Sequence, residues 1–282
     1  MTNKIKIYLL ILQFLFTYCD KIEPPFTENL SQDTSVVKIK RKILLEDYTG
    51  HTCPNCPRAA EIAHNMQSVY GNSLIVMSVH AGYFATPGNP PFNNDLRCAT
   101  SIELDNFFGV SAVGNPNGMI NRVPYNNSKI INPNLWLSAF VIQNNNDNST
   151  IKIDIQNTYI LNERKLLSNI KTEFLDELTG TYMLAVYIIE DSIVSSQKNN
   201  DPDIGSVPVI IDYVHRNVLR ASINSTFGDT IANGNINKGY YKEKTYSKTL
   251  NSNWNENQCY VLAYIYDRSS YEILQSEIKK IK

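Results

Sequence analysis

The hydrophobic pattern changes character several times along this chain. Residues 8–16 form an apolar run broken only by Gln13, preceded by Lys4 and Lys6 and by no acid. That run is too short to span a membrane and has the layout of an export signal. Residues 20–38 are polar, carry Pro24-Pro25 and show no period, which reads as a tether. At 43–45 the run Ile-Leu-Leu predicts a buried strand. Ala59, Ile62, Ala63, Met66 and Val69 then recur at helical spacing, one stripe turned to a core. Residues 73–80 (Ser-Leu-Ile-Val-Met-Ser-Val-His) predict a second buried strand, so strand, helix and strand form a parallel crossover. Residues 95–108 predict another helix, and 119–123 and 129–131 the arms of a hairpin. A last helix is expected over 133–143, capped by Asn132 with Pro133 at its first position.

The polar break at 144–149 (Asn-Asn-Asn-Asp-Asn-Ser) separates this region from one with period two. Residues 151–156, 167–174, 182–189, 241–250, 260–266 and 271–274 read as strands with turn residues between them. Spaced strands with little helix predict an all-β, sandwich-like (Ig-like) domain. Tyr213-Val-His-Arg-Asn-Val-Leu-Arg220 departs from that pattern and reads as a short helix or an edge segment, with His215 in a structural role. The expected organisation is a signal over 1–18, a tether over 19–36, an α/β domain over 37–145 and a β-sandwich over 146–282. A chain of 282 residues accommodates about two such domains.

Charge and cysteine usage narrow the setting. The net charge is −1, and without residues 1–18 it becomes −3, which provides no basic footprint for nucleic acid. Cys19 directly follows the signal and precedes Asp20-Lys21. This arrangement resembles a bacterial lipoprotein signal, in which Cys19 would become the lipidated N-terminus and the protein would hold the membrane through that anchor. Tyr18 stands where such signals have a small residue. Export implies an oxidising compartment, leaving Cys53, Cys56, Cys98 and Cys259. Cys98 and Cys259 read as buried thiols or as a second pair.

The candidate chemistry sits at Cys53-Pro54-Asn55-Cys56, where the first strand hands over to its helix. Unpaired amides and the dipole at a helix N-terminus favour a thiolate. Cys53 is therefore expected at or just before the first turn as the exposed nucleophile, Cys56 one turn inward as the resolving thiol, and Pro54 at an early helical position. His51 or Arg58 could stabilise the thiolate by charge, although Arg58 reads rather as a solvated helix residue. Strand parity places Asp47 on the face of Ile43 and Leu45, hence buried; the alternative is an exposed acid at the strand end, with Glu46 taking any functional role.

Strand, Cys-x-x-Cys and helix together resemble the thioredoxin superfamily. That resemblance implies that Asp47, six residues before Cys53, moves protons for the inner cysteine. It also implies that Pro116, preceded by Asn115 and ahead of the strand at 119–123, is a cis-proline facing the cysteines and holding a substrate backbone. Glu46-Asp-Tyr-Thr-Gly50 with Cys53-x-x-Cys56-Pro57, the segment 109–122, and Tyr213 to Arg220 together resemble the outer membrane protein twenty-eight-related family of bacterial lipoproteins. The family implies a thioredoxin-like domain joined to a β-rich domain at the outer membrane, facing either the periplasm or the exterior. It implies no settled activity.

Three functions are then open. The first is thiol–disulfide exchange on an exported protein with thiols or a disulfide, needing no cofactor. The second is a non-catalytic surface or binding lipoprotein whose Cys-x-x-Cys is a structural disulfide. The third is a metal site using Cys53, Cys56 and His51 or His80. A structural zinc site takes four ligands, and no second Cys-x-x-Cys or paired histidine motif is present, so no metal is expected.

Overall fold

A computed structural model describes residues 39–145 and 148–282; the signal, Cys19 and the tether lie outside the described residues. The described residues form one compact unit, a mixed α/β protein with a large share of β-sheet. Strand β1 (Ile43–Thr49) is buried along its whole length. Helix α1 (Cys56–Tyr70) buries Ala59, Ala63 and Met66, and β2 (Leu74–His80) pairs parallel with β1, Thr49 opposite His80. This is the expected crossover. Helix α2 (Ala99–Phe108) starts later than the sequence suggests, because Cys98 and Ser101 close a reciprocal cap at its start. A short helix α3 (Val110–Val113) and strand β3 (Asn117–Ile120) follow, β3 antiparallel to β1. Ile131 bridges back to Gly118. Helix α4 (Pro133–Asn144) has the anticipated cap, the Asn132 side chain accepting from the Asn134 amide.

Alternation along the strands separates the cores. Ile43, Leu45, Leu74 and Val76 face α1 and α4, packing on Met66, Trp136 and Phe140. Leu44, Tyr48, Ile75 and Met77 face the opposite way, toward Leu104 and Val110. Gly118 fits because a side chain there would meet the Glu46 carbonyl oxygen at 2.8 Å and the Trp136 ring at 2.9 Å.

Beyond residue 148 come β4 (Ile151–Ile160), β5 (Lys165–Phe174) and the long β6 (Leu178–Glu190). Two small ladders then form, β7 (Ile193–Val194) with β10 (Val214–His215) and β8 (Gln197–Lys198) with β9 (Val209–Ile210). Next are β11 (Val218–Ser222), β12 (Asp229–Ile236), β13 (Tyr241–Thr249), β14 (Cys259–Asp267) and β15 (Ile273–Lys280). A three-stranded sheet β13-β5-β4 packs on β6, β12 and β14. Even-numbered residues of β6 (Tyr182, Leu184, Val186, Ile188) point into that sandwich, while Met183, Ala185, Tyr187 and Ile189 point to the other core.

The main sheet has the order β15-β14-β6-β11-β2-β1-β3, with β12 also on β6. The sequence division between 37–145 and 146–282 therefore does not separate two sheets. The joining element is β11, antiparallel to β6 and parallel to β2 through Val218 opposite Ser78. The segment read as a short helix or an edge divides: Val214–His215 form the small ladder with β7, and from Val218 it is an internal strand of the main sheet.

Candidate functional site

The turn between β1 and α1 is fixed mainly by backbone. The Thr52 amide donates to the Phe84 carbonyl at 3.0 Å and its hydroxyl to the same oxygen at 2.8 Å. The Cys53 amide donates to the Gly50 carbonyl at 3.0 Å. Gly50 is required because a Cβ would fall on the Phe84 backbone. Asn55 precedes the helix without a side-chain cap, and no acid stands in the first turn. The helix thus begins at Cys56, not near Cys53, and its open N-terminus favours negative charge on that residue. Pro54 lies in the turn, and the helix instead accommodates Pro57, where the missing N–H has no intrahelical acceptor to lose.

Cys53 and Cys56 are joined by a disulfide. Cys53 is 1% exposed and Cys56 2%, so the expected exposed nucleophile is covered. The cover is the strap at 191–217, which links β6 to β11. Gln197 Nε2 donates to the Cys53 carbonyl at 2.9 Å and to the Gly50 carbonyl at 3.3 Å. The Lys198 amide donates to the His51 carbonyl at 2.8 Å, and the Asn200 amide to the Pro54 carbonyl at 3.1 Å. Arg58 Nε donates to Asp201 Oδ2 at 2.6 Å, so Arg58 closes the strap and its charge is already answered.

Asp47 is buried beneath this turn, as strand parity suggests. It lines a cavity of about 400 Å3 together with Cys56, His80 and His215. Desolvation without a compensating charge raises its carboxyl to about 7. His51 is buried too, stacked on Phe92 with ring centroids 6.1 Å apart. Burial lowers its pKa, which favours the neutral ring while the disulfide is closed.

The Asn115–Pro116 peptide is cis. Pro116 borders a second cavity, of about 490 Å3, with Asn55, Arg58 and Asp201. Asn115 borders neither cavity; its Nδ2 donates to the Ala81 carbonyl at 3.4 Å, at the end of β2. Glu46 has a structural part, held by Arg122 Nε and Nη2 at 2.7 Å each. Cys98 and Cys259 are free thiols and do not form a second pair. Among the described residues no three His, Cys, Asp or Glu side chains are placed to hold a metal ion. Sequence reasoning missed Gln197 and Asp201, and gave His215 only a structural role. They reach the site only through the strap, and the atypical run at 213–220 was the single hint that this stretch differs from its surroundings.

The model of the outer membrane protein Omp28 family matches residues 102–282. The chain belongs to this family and is an outer-membrane protein. No curated protein matches its sequence. Among solved structures it is similar to HBP35 of Porphyromonas gingivalis, at 16% identity and a TM-score of 0.62, covering 86% of this chain and 76% of that one. It is also similar to a protein from Agrobacterium tumefaciens, at 12% identity and a TM-score of 0.50, covering 86% and 96%. A domain of the outer membrane lipoprotein Omp28 from Porphyromonas gingivalis matches at 18% identity over 48% of this chain and 89% of that one, with a TM-score of 0.33. No helix among the described residues is long and apolar enough to cross a membrane.

Proposed function

We propose that this outer-membrane protein is a gated thiol–disulfide exchange protein acting on exported proteins, held to the membrane by a lipid on Cys19. In this reading β1, α1, β2, β3 and α4 are a thioredoxin-like unit fused edge to edge with the sandwich through β11. The observation that carries the reading is Asp47: an unpartnered buried carboxyl, raised to about 7, in the same cavity as Cys56. A carboxyl tuned to neutral pH beside a disulfide can give a proton to the departing sulfur and take it back. The helix N-terminus at Cys56 and Pro116 across the second cavity support the same reading. Cys53 attacks or is attacked, Cys56 resolves, and the strap must lift for a partner to enter.

The burial of both sulfurs favours a second reading, in which the disulfide is structural and the protein binds through other surfaces. Trapping separates the two. Cys56→Ser leaves Cys53 as a lone thiol that cannot be resolved. Incubated with an oxidised, disulfide-containing exported protein, this variant is expected to accumulate a mixed disulfide at Cys53, absent from Cys53→Ser. No mixed disulfide in either variant, with both folded, contradicts exchange.

A further inference from the structure

The cavity beneath Cys56 contains polar atoms that satisfy nothing else in the described protein. Asp47 Oδ1, both ring nitrogens of His80 and Nε2 of His215 have no hydrogen-bond partner. The three residues are 2%, 2% and 4% exposed. Buried polar groups are nearly always paired, so several orphans in one cavity call for a reason. Sequence register explains how they meet. Thr49 faces His80 across the parallel β1–β2 pair, which places Asp47 and His80 on the face toward α1. The strap then brings His215 onto His80 edge to face, ring centroids 5.4 Å apart. The cavity opens past Glu61, His64 and Arg216, which are exposed, and its volume admits water.

We propose that the His80–His215 pair is the proton store of Cys56, taking up the proton that balances the Cys56 thiolate when the disulfide opens. The proposal rests on the exchange reading above and adds the histidines to it. A thiolate of the partner protein attacks Cys53 Sγ. A sulfur–sulfur bond forms between partner and Cys53, the Cys53–Cys56 bond breaks, and its electron pair leaves on Cys56 Sγ. One proton enters from solvent onto the imidazole pair, so the cavity gains no net charge. The partner's second thiolate then displaces Cys53, which takes its proton from solvent. The partner is oxidised by two electrons and the protein is reduced. With the disulfide closed there is no anion to balance, and burial, then the neighbouring His215, His51 and Arg220, keep His80 well below its ordinary pKa, His215 being lowered to about 4. The groups around the pair are Asp47 on β1, Glu61 and His64 on α1, His51 in the turn, and Tyr213 and Arg216 on the strap. The carboxylates favour the stored proton and the arginines oppose it.

The test uses the full chain with Cys53→Ser, which frees the Cys56 thiol without any exchange step. Thiolate absorbance is titrated against pH and corrected with the Cys53→Ser/Cys56→Ser protein. Cys56 is expected to ionise below the ordinary cysteine value of about 8.5. Adding His80→Gln or His215→Gln is expected to raise its pKa by about one unit, a tenfold loss of thiolate at a given pH, while the melting temperature stays within a few degrees. A Cys56 pKa unmoved by both substitutions in folded protein overturns the proton store. The exchange reading fails separately, through the absence of a mixed disulfide in Cys56→Ser, whatever this titration gives.

Discussion

Gln197 Nε2 donates a hydrogen bond to the carbonyl oxygen of Cys53 at 2.9 Å. A residue of the strap between β6 and β11 thereby holds the backbone of one cysteine of the disulfide. With the Lys198 and Asn200 amides and the Arg58–Asp201 pair, it makes the strap a lid fastened at the turn itself.

Loosening that fastening is expected to speed reduction. Each such hydrogen bond contributes about 1 kcal/mol. If reduction proceeds through an opened strap, Gln197→Ala, which loses the bonds to the Cys53 and Gly50 carbonyls, raises the rate of reduction of Cys53–Cys56 by dithiothreitol about 5- to 30-fold, since about 1.4 kcal/mol is tenfold. Arg58→Ala, which loses a half-exposed ion pair, raises it less, because such pairs contribute about 0–1 kcal/mol. Equal rates in all three proteins contradict the lid.

Asp47 gives a pH signature. Its carboxyl rises from 3.8 to about 7 in the folded protein. Between these values the folded state binds more protons than the unfolded one, so this group's contribution to stability falls as pH rises from about 4 to about 7 and is flat above. His80 and His215 are lowered and act in the opposite sense over part of the range, their contribution rising with pH up to about 6.5. The difference between Asp47→Asn and the unaltered protein removes the histidines. Denaturant melts are expected to show the asparagine variant gaining relative stability from pH 4 to pH 7, by up to about 4 kcal/mol for three pKa units. A difference independent of pH contradicts the raised carboxyl.

Glu46 and Arg122 are 0% and 1% exposed at the side chain. Arg122 also lies over Phe108 at 4.5 Å and bonds the Tyr264 hydroxyl at 2.9 Å. Breaking a buried pair leaves a lone charge, so Glu46→Gln is expected to destabilise by about 3–5 kcal/mol, and an apolar pair at both positions to recover part of that. Thermal melting of the single and double variants checks it.

Cys259 is buried in the sandwich core, and its thiol is pushed up to about 12 by burial first and then by Glu190. Only the thiolate reacts readily. Native protein treated with iodoacetamide is expected to leave Cys259 unmodified by mass spectrometry, with full modification after denaturation. Modification at equal rates in both states contradicts that placement.

Much of this was legible from local signals. The Ile43–Leu45 run and the Ala59–Met66 stripe define β1 and α1 because each buries a face along its own length. The Asn132-Pro133 start of α4 is a local cap. What was hidden depends on partners distant in sequence. Strand β12 contains Asn233-Gly234-Asn235, a turn signal, yet its pairing with β6 overrides that preference. Strand β11 has five residues and an ordinary composition; its internal position comes from having β2 on one side and β6 on the other. The covering of Cys53 was illegible for the same reason. Helix-terminus chemistry says where a thiolate is favoured, and nothing in the Cys-x-x-Cys says that Gln197 will lie on it.

The most direct test is the reduction potential of the Cys53–Cys56 pair in the mature protein, equilibrated against glutathione or dithiothreitol with Cys53→Ser as control. The exchange account predicts a value of about −120 to −270 mV, the span of working oxidoreductases. A value below about −300 mV marks a structural disulfide and contradicts it.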